Sequence, residues 1–415
     1  YYNRYLNIIR QKSGRGGEDF TSTQEVQRRI YECQNGIEYV NAPREYRIEN
    51  MGPAINSEWD DFAPVVTSDE SFMAFTTRRQ EGNTNADVFD DMLFYEDVFY
   101  SARSGDKWTP AQNIGPPVNI LYHSSNLAIS ADGTQLYLYK SQNGGDIFLS
   151  EKNSSGTWSE PEPLNVNINS TFSENSVSIS PDGNTLYFSS DRPITTDKID
   201  LDIYYSKKDR KGEWGVAKNI GTSINTEFDE DGPFIDYDGK TLYFSSKGHK
   251  GMGGYDIYKT VYNEGADEWS EPVNLGYPMN SPDNDIYFVS TRDGKRGYYA
   301  SAKADGMGFT DIYHILLADM EAPPKKVEAK KIEPPEPEKP IIVPVVEIPK
   351  PVTLILKTVD KQSRETLDVD ISINDAGNSQ SIPVKRIGSG LYQAQFSNES
   401  SIKYNITIQK SGYMY

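Results

Sequence analysis

Several things on which common functions depend are scarce or missing in this sequence. There is one cysteine, Cys33, so no intrachain disulfide can form and cysteine usage does not report a compartment. The three histidines, His123, His249 and His314, fall at unrelated places, and none stands at metal-ligand spacing from another. Basic charge is short: 42 Lys and Arg against 61 Asp and Glu give a formal charge of −19. A surface that tracks nucleic-acid phosphates needs clustered Lys and Arg, so that class is disfavoured. No apolar run approaches the roughly 18 residues of a spanning helix. The chain starts at Tyr1 without a charged, then apolar, leader, as expected of a mature or trimmed chain.

What is present is a repeat. Tyr is abundant at 28, and Gly plus Pro supply many turn residues. In Asn175–Ser206, Val177 and Ile179 alternate with serines, Asp182-Gly183 makes a tight turn, and Leu186-Tyr187-Phe188 and Ile203-Tyr204-Tyr205 follow as β-forming runs. Three such strands cannot bury their own faces and must stack on copies of themselves. The copies are there. Turn dipeptides recur at Asp132-Gly133, Asp182-Gly183, Asp238-Gly239 and Asp293-Gly294, with Asp69-Glu70 as a degenerate first. The third-strand signature recurs at Asp97, Asp146, Asp202, Asp256 and Asp311, and each unit opens on an Asn: Asn56, Asn119, Asn169, Asn225 and Asn280. Five units in the same order specify a mainly β fold, a five-bladed WD40-like β-propeller over 45–318.

Four units end in a tryptophan, Trp108, Trp158, Trp214 and Trp269, at one position per blade, which reads as packing between blades. The fifth lacks the outer Asn-apolar-Gly strand. Asn50-Met51-Gly52 supplies the match, so the 45–52 strand is expected to close the ring and remove its open edge.

The flanks differ in composition. Residues 1–44 read as the C-terminal helices of a helical repeat: a short one over Tyr1–Gln11, and one over Thr23–Tyr39 with Val26, Ile30, Cys33, Ile37 and Val40 as its buried face. In that reading Cys33 is a small core residue. Proline density over 319–351 makes a polyproline-like linker. Residues 352–415 alternate again and read as a small β-sandwich.

The core S-x-D-G-x-x-L-Y-F-S-S at Ser180–Ser190, with Asp202-Ile203-Tyr204 after it, resembles the TolB-type, WD40-like propeller repeat. Tyr404–Ile408 with Gly412-Tyr413 resembles the end of a carboxypeptidase-regulatory-like domain. The order of TPR-like helices, propeller and regulatory-like sandwich is similar to that of PorE-type envelope proteins of Bacteroidota. The resemblance implies a periplasmic, outer-membrane-associated scaffold of the type IX secretion or gliding machinery. It further implies a PorP/SprF-type outer-membrane barrel as partner, and peptidoglycan held through an OmpA-like domain. No stretch of this sequence corresponds to that last domain, so peptidoglycan binding falls on none of its residues.

Chemistry is hard to find in the repeat. There is no G-x-S-x-G elbow. Ser206–Trp214 and Ser150–Trp158 have the wrong spacing for sialidase boxes, although Arg78, Arg79, Arg192 and Arg292 offer arginines for a carboxylate-bearing sugar. Asp60-Asp61 and Asp229-Glu230-Asp231 offer oxygen ligands for Ca²⁺, but acidic groups recur there as Glu174 and Asp283, which favours hydrogen bonding between blades. The glycine-rich stretch 248–254 lacks the ending of a phosphate loop. His249, Lys250, Met252 and Tyr255 are taken as a partner-contact loop. The expectation is a non-enzymatic binding scaffold with no cofactor and no metal. A sialidase-like or other glycan-binding propeller, and a TolB-like module unrelated to secretion, are the alternatives.

Overall fold

The structure is a computed structural model and describes residues 23–89, 91–141, 144–193, 200–317, 352–360, 366–375, 381–396 and 404–410. The chain is mainly β and divides into two compact units, Tyr1–Lys330 and Lys331–Tyr415. The helix expected over Tyr1–Gln11 and the proline-rich segment 319–351 lie outside the described residues.

In the first unit, α1 (Thr23–Asn41) and the short β1 (Ile48–Asn50) precede five small antiparallel sheets. The first holds β2 (Asp61–Val66), β3 (Phe72–Thr77) and β4 (Asp97–Ser104), with β5 (Lys107–Trp108) and β6 (Gln112–Asn113) on the outer edge of β4. The second holds β7 (Ser125–Ile129), β8 (Gln135–Lys140), β9 (Asp146–Glu151) and β10 (Glu162–Pro163). The third is β11 (Glu174–Ile179), β12 (Thr185–Ser190), β13 (Asp202–Lys207) and β14 (Lys218–Asn219). The fourth is β15 (Glu230–Ile235), β16 (Thr241–Ser246) and β17 (Asp256–Asn263), edged by β18 (Glu268–Trp269) and β19 (Val273–Asn274). The fifth is β20 (Asp285–Ser290), β21 (Arg296–Ser301) and β22 (Asp311–Leu316), and β1 is its outer strand. First strands touch in the order β2, β7, β11, β15, β20 and back to β2. At the junction Ile48, Glu49 and Asn50 pair with Ile315, His314 and Tyr313.

The turns explain the strand spacing. Gly133, Gly183, Gly239 and Gly294 sit at φ of 71°, 71°, 70° and 65°, a conformation glycine adopts without a Cβ penalty. The first sheet has Glu70 there, at φ 53°.

The unit-opening asparagines fasten each sheet to the one before. Asn225 accepts from Ile203 N at 2.8 Å and donates to Ile203 O at 3.0 Å and to Asn219 Oδ1 at 3.0 Å. Asn119 treats Val98 and Asn113 the same way, Asn280 treats Ile257 and Asn274, and Asn56 reaches across the junction to Ile312. A carboxamide carries its donor and its acceptor on separate atoms, so one side chain can satisfy both the N–H and the C=O of one residue. The tryptophans fill the gaps beside these clasps: Trp108 meets Tyr298 edge-on and Trp269 meets Tyr187.

A second recurring layer is ionic. After four of the five Asn, a Ser or Thr four residues before a buried carboxylate donates to it: Ser57 to Asp61, Ser170 to Glu174, Thr226 to Glu230, Ser281 to Asp285. The fifth unit's member is Asp285; Asp283, to which the sequence reading assigned the role, is two residues too early. Arg79, Arg192 and Lys303 sit beside Asp61, Glu174 and Asp285 and also donate to Ile55, Ile168 and Met279 carbonyls. The second unit keeps the cation, Lys140, but has Ser124 for the carboxylate, and desolvation brings the Lys140 ammonium down to about 8. The fourth keeps Glu230 but has Gly248 where the cation belongs.

Without that cation, burial pushes the Glu230 carboxyl up to about 8 despite its hydroxyl partners. A raised folded-state value means that the folded protein holds the proton more tightly than the unfolded chain. The contribution is therefore complete below the unfolded value of 4.5 and lost as pH rises toward about 8. Melting at pH 5 and pH 8 should show the protein less stable at the higher pH, with Glu230→Gln narrowing the difference. An unchanged difference in the variant would refute this account.

The expected buried face of α1 is overturned. Ile37 and Val40 are 65% and 49% exposed, Cys33 is exposed, and of that face only Val26 is fully buried. The helix instead lays its polar side on the ring. Glu32 and Asn35 are buried, Arg28 stacks over Phe228 at 4.6 Å and donates to Lys247 O, and Asn35 donates to Gly251 O at 2.9 Å. The surface beneath is a loop whose carbonyls need donors, and polar side chains supply them.

The second unit has two three-stranded sheets. β23 (Val352–Lys357), β24 (Asp370–Asp375), β25 (Ser381–Ile382), β26 (Val384–Gly388), β27 (Leu391–Phe396) and β28 (Tyr404–Gln409) pair in the orders β23-β27-β26 and β25-β24-β28. Ile373, Tyr392 and Ala394 are buried, and Tyr392 Oη bonds both the N and O of Val369 at 2.8 Å.

Candidate functional site

Each first strand carries one extra residue relative to its neighbour: the register shifts at Phe62/Val65, Asn126/Ala128, Glu174/Ser176, Asp231/Phe234 and Ile286/Val289. A bulge re-aims side chains. Three of these five place a residue at positive φ, namely Ala63, Gly232 and Tyr287. The bulged strands surround the ring axis. At one end they enclose a cavity of about 230 Å³ lined by Phe62, Glu96, Tyr139, Asn175, Asp231 and Tyr287, among others. Toward the other end a tighter, mainly apolar cavity of about 60 Å³ shares Ala63, Leu127, Ser176 and Tyr287 with the first.

The wider cavity is acidic. Asp231 is buried, and its Oδ1 receives Ser189 Oγ at 2.6 Å, Gly232 N at 2.7 Å and Ser176 Oγ. Burial raises its carboxyl against those donors. Glu96 accepts from Ser125 Oγ at 2.5 Å and has His123 Nδ1 at 3.4 Å. Burial opposes its ionisation, but the His123 and Ser125 contacts prevail and hold it below the usual range.

His123 joins this cavity to an aromatic rim. Its ring lies 4.8 Å from Phe89 and 4.9 Å from Tyr95, and Tyr95 lies 5.9 Å from Tyr122. Around these rings Met92, Leu121 and Tyr122 are 75%, 64% and 65% exposed, and Phe89 and Ile120 are also exposed. Met92 and Tyr122 are held at φ 67° and 78°, unusual for side-chain-bearing residues and worth about 1–3 kcal/mol of strain each. Surrounding bonds enforce this: Tyr122 N donates to Asn85 Oδ1 at 2.9 Å, and Arg78 grips Asp91 with two bonds of 2.7 and 2.9 Å.

The partner-contact loop read from the sequence is engaged within the chain. His249 Nε2 lies 2.8 Å from Ile224 O, the carbonyl equivalent to those that Arg79 and Arg192 reach, so it stands in for the absent cation. Lys250 pairs with Glu38 of α1 at 2.6 Å, Met252 is buried beside Gly36, and Tyr255 is buried with Ile286 and Ala300 under Lys247. Of the arginines considered for a sugar carboxylate, Arg79 and Arg192 hold the buried carboxylates Asp61 and Glu174 in the first and third sheets, and Arg78 holds Asp91. Among the described residues no group of three or more His, Cys, Asp or Glu could hold a metal ion. No helix there is long and apolar enough to cross a membrane.

The rim was missed in the sequence, yet one signal was there. Four units read Asn-Ser/Thr-x-x-x-Asp/Glu, whereas the second reads Asn119-Ile120-Leu121-Tyr122-His123-Ser124.

No protein-family model and no curated protein matches the chain. Among solved structures it is similar to a putative TolB from Agrobacterium tumefaciens, at 18% identity and TM-score 0.38, covering 62% of this chain and 77% of that one. It is similar to TolB from Acinetobacter baumannii at 15% identity and TM-score 0.38, covering 71% and 70%. A glycosyl hydrolase from Bacteroides ovatus is similar at 11% identity and TM-score 0.44, covering 66% and 93%.

Proposed function

We propose that this chain is a non-enzymatic binding scaffold of the cell envelope. In this reading the first unit is a five-bladed propeller that docks a protein through the rim around Tyr122, and the second unit is a regulatory-like β-sandwich. The observation that carries the reading is a cluster of exposed apolar side chains, Phe89, Met92, Ile120, Leu121 and Tyr122, on backbone held in strained conformations. Solvent-facing apolar clusters of this kind mark interaction surfaces. The order of segments along the sequence supports placing the scaffold in the periplasm, at the outer membrane, in type IX secretion or gliding. Its partner would then be a PorP/SprF-type barrel, with peptidoglycan held by an OmpA-like domain outside this sequence.

Leu121→Asp with Tyr122→Asp should weaken binding to such a purified barrel by at least about tenfold, with the melting temperature unchanged. Unaltered affinity would refute the docking reading. One observation favours a glycan-processing alternative, the sharing of one cavity by Glu96 and Asp231. Glycosidase turnover abolished by Glu96→Gln would establish that alternative in its place.

A further inference from the structure

The rim says where a partner sits; the cavity inside it says what the partner carries. Two carboxylates face this space, no Lys or Arg among the described residues lines it, and basic side chains of the adjoining sheets are committed elsewhere. Arg78 holds Asp91 and the Phe94 carbonyl, Lys140 holds Val118 O and Ser124, and Lys247 holds Asp229. Every hydrogen bond to Asp231 shown among the described residues falls on Oδ1, from two hydroxyls and one amide, which leaves its charge without a cation. Glu96 has Ser125 Oγ at 2.5 Å and the half-buried ring of His123 at 3.4 Å, with the Arg78 charge acting from farther off. A buried carboxylate without a counterion is costly, and a cation of matching reach relieves that cost.

Size and lining narrow the choice. About 230 Å³ lies below the range of drug-sized ligand sites, so the space suits one side chain rather than an oligosaccharide. Phe62 and Tyr287 stack at 6.1 Å on the wall and Tyr139 lines it, which offers aromatic surface to an alkyl stem or a guanidinium plane. The amide of Asn175 and the hydroxyls of Ser125 and Ser176 supply further acceptors.

We propose that the axial cavity receives a single Lys or Arg side chain projecting from the docked protein, with Glu96 and Asp231 as its anionic seat. This rests on the docking reading and deepens it: the rim supplies apolar contact area, and the cavity selects a partner with a basic residue at the centre of its surface. A chain of net charge −19 also attracts a basic face over distance.

The test uses small probes on the full chain. N-acetyl-arginine methylamide and N-acetyl-lysine methylamide are titrated by ligand-observed NMR, with N-acetyl-norleucine methylamide and lactose as uncharged controls. The basic probes should bind about tenfold more tightly than either control and weaken with salt. Glu96→Gln and Asp231→Asn should each reduce that binding about fivefold or more. Asn175→Lys, which puts an ammonium at the mouth from a half-buried position, should abolish it without disturbing the buried network around Asp231. Equal binding of norleucine, preference for lactose, or affinity unaltered in Asn175→Lys would each overturn the proposal. The probes report on the cavity alone, whereas the Leu121 and Tyr122 variants report on the rim with an intact partner, so either reading can fail without the other.

Discussion

Replacing Glu70 by glycine, the residue that the other four turns carry at this position, should lower the melting temperature of the ring. Local reasoning points the other way. Glu70 sits at φ 53°, and glycine there would release about 1 kcal/mol of backbone strain. The carboxylate, however, bridges the first and last sheets. It accepts from Arg296 Nε and Nη2 at 2.9 and 2.7 Å and from Tyr298 Oη at 2.6 Å, and the Arg103 guanidinium stands beside it as an ion pair, Nη1 at 2.9 Å. Burial works against its charge, but these partners prevail and hold it below the usual carboxylate range. Removing one member of a buried ionic group costs about 3–5 kcal/mol, because the remaining charges lose their counterion. Arg296 and Arg103 are only 29% and 17% exposed at their side chains.

The net loss is about 2–4 kcal/mol, a melting shift of roughly 3–7 °C in a unit this large. Arg296 is itself a departure, standing where other units have Gln135, Thr185 and Thr241. Two departures from the repeat therefore meet across the junction. Glu70→Gly combined with Arg296→Thr should recover most of the stability lost in Glu70→Gly. If Glu70→Gly melts at or above the parent temperature, the strained turn has some other reason.

Asn225→Ala should be comparably damaging, for a different reason. The change removes three hydrogen bonds and leaves the buried Ile203 N–H without its acceptor, while Ile203 C=O keeps Ile220 N at 3.1 Å and Asn219 Oδ1 keeps Gly221 N at 2.9 Å. One orphaned buried N–H costs about 1–3 kcal/mol and the two other lost bonds about 0.5–1 each, so the cost is about 2–4 kcal/mol. Asn169→Ala is the internal comparison. Asn169 holds Ile147 in the same way, but its third bond goes to the Leu164 carbonyl at 3.2 Å instead of to an Asn side chain. Its loss should therefore cost less. Thermal melting of both variants decides the matter. A loss below about 1 kcal/mol at Asn225 would show that the clasp is dispensable.

The ring's strands were legible in the sequence because they rest on short-range rules. Asp182-Gly183 forces a tight turn wherever it occurs, and Leu186-Tyr187-Phe188 favours an extended, half-buried backbone in any context. The same reasoning failed on α1. Helical spacing identifies a face but does not say against what it packs, and here the surface beneath offers the carbonyls of Lys247, Lys250 and Gly251, which call for donors. His249 likewise looked like a residue in a loop. That it replaces an Arg or Lys emerges only when Ile224 O is seen to occupy the place of Ile55 O and Ile168 O.

The sequence by itself determined the repeat, its turns and the identity of each clasp residue, because these depend on neighbours within a few positions along the chain. Only the tertiary structure decided that Glu70 meets Arg296, separated by 226 positions. Only it brought Glu96 and Asp231 to one cavity, and Phe89, Tyr95 and Tyr122 to one rim. Glu70 and Arg296 meet because the ring closes, Glu96 and Asp231 because its bulged strands surround one axis, and Tyr122 meets Tyr95 because consecutive sheets lie side by side; no local propensity encodes these arrangements.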